Sequence, residues 1–189
     1  MSAKKLVLML KTLFLIFLAL LTTDICGQQT LSVDDTRRNE IIQHAEKYLG
    51  RPYRTKVDNQ VFDCSGFVKF NMKHIKKNVT RSSVTQIHDG VKVHNISEAK
   101  PGDIVVFKGR STRNIRPGHV GLVHHISNDT LYFIHSSTSN GIVIGHLHDN
   151  YYSRRFLGIR DVITTQSKKK NYILDKLDLN KASANNHKQ

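Results

Sequence analysis

The sequence predicts an α+β domain in which N-terminal helices pack on an antiparallel sheet of about five to six strands. Two observations predict it. In the first half, apolar residues recur at helical spacing: Ile41, Ile42, Ala45, Tyr48 and Leu49, then Phe67, Val68, Met72 and Ile75. After the turn Lys100-Pro101-Gly102-Asp103 the period drops to two, and short apolar runs are separated by turn residues. Helices first and strands second give segregated halves rather than alternating units.

The chain begins with Lys4, Lys5 and Lys11 around an apolar run, TLFLIFLALLTT, over 12–23. A membrane span needs about 20 apolar residues, so this run reads as the core of a signal peptide covering 1–27, with Gly27 before the cut. A retained anchor is one alternative. Lipidation of Cys26 is another, disfavoured by Asp24 and Ile25 where small residues are wanted. Each of these takes the protein out of the cytosol. Residues 28–39 (QQTLSVDDTRRN) are polar and read as an N-terminal lead, 40–165 as the domain, and 166–189 as a Lys-rich tail expected to be mobile.

Within the domain, the spacing predicts a helix over 40–49, closed by Gly50 and Pro52. Residues 51–62 read as a polar loop. A second helix should run from Cys64 to about Lys76, with Asp63 as N-cap and Gly66 tolerated in its first turn. A short helix is expected over 81–90, capped by Ser82 or Ser83 and closed by Gly90. Strands follow at 103–109, 118–127, 130–137, 142–147 and 156–163, with Asn128-Asp129 and Ser139-Asn140-Gly141 as turns.

Lys and Arg number 29 against 15 Asp and Glu, a net charge of +14. Loss of residues 1–27 removes three lysines and one aspartate and leaves about +12. Such a chain favours anionic partners: nucleic acid, an anionic cell-wall polymer or a membrane surface, and charge alone does not choose among them. A solvated basic face with no specific partner is the plain alternative.

The same cleavage leaves Cys64 as the single cysteine. In an exported protein a lone cysteine is either a small buried apolar residue or a reactive thiol. The first turn of a helix offers unpaired N–H groups and the positive end of the macrodipole, both of which favour a thiolate. The same amides can hold an oxyanion after attack on a carbonyl. An imidazole must come from elsewhere. Alternation in GHVGLVHH puts His119, Gly121 and Val123 on one strand face, and in TLYFIHSS Leu131, Phe133 and His135 share one. Gly118 and Gly121 let neighbouring backbone approach His119 closely. His135 can then orient the second ring nitrogen of His119, completing a nucleophile–base–orienter set. Histidines in strands are more often exposed or satisfied core residues. A zinc site of Cys64, His119 and His135 is a further alternative, though the chain has no CxxC or HExxH pair.

Five blocks in order, DCSGFV (63–68), RSSVTQ (81–86), PGDIVVF (101–107), GHVGLV (118–123) and FIHSS (133–137), resemble the NlpC-type cell-wall cysteine peptidases of the papain-like superfamily. The resemblance covers about residues 41–162. It implies a papain-like NlpC-type fold and hydrolysis of peptidoglycan stem peptides, commonly between D-γ-glutamyl and a diamino acid. It implies Cys64 as nucleophile, His119 as base and His135 as the third polar residue. Tyr53 would line the site, Asp63 and Ser65 would bind the amino end of the stem peptide, and Ser83 would border the groove. No metal or organic cofactor is implied, and the protein is expected to act as a monomer. Where the family often has a Gly-Gly pair, this chain has RTKVDNQVF (54–62), which alters one pocket wall. Two other functions share these residues: an amidase or acyltransferase with the same Cys–His pair, and a non-catalytic basic module binding wall polymer or nucleic acid.

Overall fold

The computed structural model describes residue 11 and residues 32–164 apart from 112. The rest of the expected signal segment, Cys26 and the expected Lys-rich tail beyond 165 lie outside the described residues.

Helix α1 spans Val33–Glu46. It starts seven residues before the expected helix because Ser32 Oγ accepts from the Asp35 amide at 3.2 Å, while Asp34 and Asp35 face the positive helix end. Residues 33–39 are therefore folded rather than part of a loose lead. Arg38 explains their capture. Its guanidinium is buried and donates to Asp103 at 2.7 Å, the Pro101 carbonyl at 2.9 Å, Asp161 at 2.9 Å and the Thr164 hydroxyl at 3.0 Å. One side chain thus ties α1 to the turn before the sheet and to the end of the last strand.

Residues 51–62 are not simply a loop. Strands β1 (Lys56–Val57) and β2 (Gln60–Val61) pair antiparallel around Asp58 and Asn59, both with positive φ. Asp and Asn tolerate that conformation, which a two-residue hairpin turn of this kind requires. Helix α2 spans Cys64–His74 and buries Phe67, Val68, Asn71 and Met72. Helix α3 is shorter than expected, Ser83–Gln86, with Ser82 as its cap.

Six strands form the main sheet: β3 (Val91–Val93), β4 (Ile104–Lys108), β5 (Pro117–Ser127), β6 (Thr130–Ser137), β7 (Gly141–His146) and β8 (Phe156–Asp161). Their order is β3-β8-β4-β5-β6-β7, and every pairing is antiparallel. The expected α+β architecture stands, with β3 and a short helix α4 (Asn150–Ser153) added. Alternation sends the strand residues into two cores. On the helix side, Ile104, Val106, Val120, Leu122, Ile134 and Ile142 meet Ile41, Phe67, Val68 and Met72. On the other, Val105, Phe107, Val123, Leu131, Phe133 and Ile159 are covered in part by Tyr152 and Phe156.

Removing the Arg38 guanidinium while keeping its aliphatic length would take the cation from the buried Asp103 carboxylate and from the half-buried Asp161. Arg38→Met is expected to lose about 3–5 kcal/mol of stability, measured as a lower midpoint in urea unfolding with the slope unchanged.

Candidate active site

Asp63 caps α2 as expected, its Oδ1 accepting from the Gly66 amide at 2.7 Å. That bond fixes Cys64 as the first helical residue, where its amide and the next lack helical partners. Gly66 is required rather than merely tolerated. A Cβ there would collide with the Val61 carbonyl of the hairpin, so the lack of a side chain lets β2 lie against the head of α2.

Arg81 was not singled out from the sequence, and it organises this end of the helix. Its guanidinium forks onto both Asp63 oxygens at 3.0 and 2.8 Å and donates to Ser65 Oγ at 3.0 Å. Ser65 Oγ in turn donates to Asp63 at 3.2 Å. Burial pushes the Asp63 carboxyl up, but Arg81 and the Gly66 amide more than offset this and hold it below the usual range. The signal was available: a carboxylate beside the only thiol of the domain calls for a cation, and the RSSVTQ block supplies one. Gln86, from the same block, is fully buried and donates to the Ser65 and Thr80 carbonyls at 3.2 and 2.9 Å, tying the segment that carries Arg81 to α2. Ser83 opens α3, half-buried, and its hydroxyl belongs to none of these bonds.

Cys64 is half-buried. Burial pushes its thiol up, and the Asp63 charge adds to that, while the backbone amides of Val120, Ser65 and Cys64 itself pull it down. The upward causes win. The helix-tip amides favour the anion, as expected, but burial outweighs them and holds the thiol above its ordinary value. Tyr53 lies in the same neighbourhood, its phenol pushed up by burial and by the charges of Cys64 and Asp63.

The Val120 amide that reaches the thiol belongs to β5, one residue after His119. His119 Nε2 lies 2.9 Å from His135 Nδ1. The two rings come together because β5 and β6 pair and Gly121 brings β6 close, a Cβ there falling 2.9 Å from the Ile134 carbonyl and 3.0 Å from His135 Cβ. Gly118 is likewise pressed against Gly109. Burial lowers His119 to about 4. His135 falls to about 3, through burial and then the neighbouring His119. Both rings are neutral at pH 7. His135 Nε2 meets the Tyr152 hydroxyl at 3.2 Å. Tyr152 sits on α4, an element the sequence reading did not contain, and nothing in its local pattern marks it. Among the described residues no group of three or more His, Cys, Asp or Glu is placed to hold a metal ion, so the zinc alternative for Cys64, His119 and His135 finds no geometric support.

The thiol thus reaches the β5 backbone at Val120, next to His119, whose ring pairs with His135. Residues 50–161 match the model of the NlpC/P60 family. The chain is 31% identical over 144 residues to a gamma-DL-glutamyl hydrolase of Bacillus subtilis, covering 74% of this chain and 33% of that protein. It is 33% identical over 103 residues to the murein DD-endopeptidase MepS/murein LD-carboxypeptidase of Escherichia coli K12, covering 54% of this chain and 50% of the relative. The chain thus spans a third to a half of the length of these relatives. The fold matches the crystal structure of an NlpC/P60 family protein from Bacillus cereus with a TM-score of 0.56 at 24% identity, over 67% of this chain and 40% of that one.

A thiol pushed up by burial gains nucleophilicity as pH rises through its elevated value. Iodoacetamide labelling of Cys64 is expected to keep accelerating above the ordinary thiol range near pH 8.5, read by mass spectrometry across a pH series. A plateau below neutral pH would indicate a preformed ion pair instead.

Proposed function

The chain belongs to the NlpC/P60 family, and from that premise we propose that it is an exported cysteine endopeptidase cutting peptidoglycan stem peptides, with the D-γ-glutamyl–diamino acid bond as its target. The observation that carries this reading is the convergence on β5: the Cys64 thiol takes the Val120 amide, and the residue before it, His119, is oriented by His135. Its Nε2 being engaged, His119 has Nδ1 left for chemistry.

In the reaction, His119 Nδ1 takes the thiol proton as Cys64 Sγ attacks the scissile carbonyl. The free amides at the head of α2 are the donors for the oxygen that becomes negative. His119 then passes the proton to the leaving amine, and a water that it activates releases the acyl group from sulfur. The name of the murein DD-endopeptidase/LD-carboxypeptidase supports the substrate class, and that of the gamma-DL-glutamyl hydrolase supports a γ-glutamyl bond. Tyr53 and Ser83 border the groove. Asp63 and Ser65 take the amino end of the stem peptide, with Arg81 holding both in place.

The basic surface is read as a means of staying on anionic wall polymer. A groove of about 400 Å³ on the outer side of α2 supports this: Lys69, Lys73, Lys76 and Lys77 line it, with Phe70, Gln60 and Asn78. Lys69 and Lys73 lie one turn apart on α2, and Lys76 follows just past its end, so their like charges are gathered where an anion would relieve their repulsion.

Two outcomes test this. Digestion of purified peptidoglycan, analysed by mass spectrometry, should release fragments cut after D-γ-glutamyl with the natural protein and none with Cys64→Ala, which should still bind. Lys69→Glu/Lys73→Glu should leave hydrolysis of a soluble stem peptide unchanged and weaken sedimentation with cell walls, most at low salt where charge is least screened.

A further inference from the structure

We propose that Tyr152 is a positioning residue for this reaction, its phenolic oxygen receiving the Nε2–H of His135 so that His119 can carry a positive charge. The inference rests on the Cys64–His119 reading above. It follows from counting protons along three groups in a row: His119 Nε2 is 2.9 Å from His135 Nδ1, and His135 Nε2 is 3.2 Å from Tyr152 Oη.

Each bond in this row holds one hydrogen. Suppose His135 Nδ1 carries the proton between the rings. His119 Nε2 is then an acceptor, its own proton sits on Nδ1, and no lone pair remains to take a proton from the thiol. Suppose instead that His119 Nε2 carries it. Nδ1 of His119 is then a base, His135 Nδ1 accepts, and neutral His135 must bear its hydrogen on Nε2, aimed at Tyr152. Only the second arrangement permits the reaction. It also becomes compulsory once His119 is doubly protonated, because Nε2–H must then donate.

The group that receives His135 Nε2–H therefore decides whether the dyad can hold the transferred proton. His135 is 1% exposed, and water does not replace a missing partner there. Tyr152 is suited to the task. Burial pushes its hydroxyl up to about 12, so it stays uncharged throughout the working range and does not trap the proton by forming a phenolate. Its ring packs on Phe107 and Phe133 at centroid distances of 5.2 and 4.9 Å, which holds the oxygen in place. A phenylalanine would keep that packing and lose only the acceptor.

The experiment compares the natural protein with Tyr152→Phe in the full chain. Turnover of a stem peptide should fall about tenfold in kcat with KM within about twofold, and Tm should stay within a few degrees. The acid limb of the pH–rate profile should move to lower pH, because an imidazolium without its relay is harder to form. Nitrogen-15 NMR of labelled histidines, assigned with single His→Gln variants, should show His135 protonated at Nε2 in the natural protein and a growing Nδ1–H population in Tyr152→Phe. Unchanged kcat and acid limb in the variant, or His135 protonated at Nδ1 in the natural protein, would overturn the proposal. Turnover retained by Cys64→Ala would instead refute the underlying reading. The NMR result does not depend on turnover and would still decide the Tyr152 bond.

Discussion

The site depends on one carboxylate with two conflicting duties. Asp63 must cap α2, because without that bond the helix has no fixed start and Cys64 no fixed direction. Yet a negative charge one residue before a thiol opposes the thiolate that the proposed chemistry needs. Arg81 eases the conflict by binding both oxygens, so the cap is kept beside a countercharge, although the Asp63 charge still pushes the thiol up. Gln86 then anchors the segment that delivers Arg81. A motif that looks like a nucleophile with small neighbours is, physically, also an ion-paired cap.

Burial is the second constraint, and it acts on the thiol and the imidazoles in the same sense. It raises Cys64 and lowers His119 and His135, so every member of the set prefers to be uncharged at rest. A buried ion pair is costly unless each charge has hydrogen-bond partners waiting. Those partners are present on both sides: the Val120, Ser65 and Cys64 amides for sulfur, and His135 for the imidazolium. In the proposed reaction, this arrangement would place charge separation within the attack rather than before it.

How much of this was legible follows from the range of each interaction. Short-range patterns read well. The α2 helix, its Asp63 cap, the Asn128-Asp129 turn and the strands around His119 and His135 all rest on local periodicity or turn chemistry, and alternation paired the two histidines. Features fixed by distant partners did not read. The early start of α1 depends on Arg38 meeting Asp103 and Asp161, far along the chain. Arg81 acts across 18 residues and Tyr152 across 17, and neither has a local pattern that says so. The hairpin 56–61 was nearer to reach: Asp58-Asn59 between valines is a turn signal, but two-residue strands are too short to show alternation.

The sheet itself joins the two halves of the chemistry. Cys64 packs with the core on the helix side. The His119 ring instead lies near Phe107 and Tyr152, which belong to the opposite core. Adjacent residues of a strand point to opposite faces, so the step from His119 to Val120 is where the two environments come within reach. The Val120 amide serves the sulfur, and the His119 side chain opens onto the relay through His135. A slip of one residue in β5 would exchange those roles and bury the imidazole among the helices. Gly121 guards against this, since only a residue without a side chain fits beneath the β6 backbone at that point. Register is therefore what sets the Val120 amide toward the thiol on one face and the His119 ring beside His135 on the other, the arrangement that the proposed reaction needs.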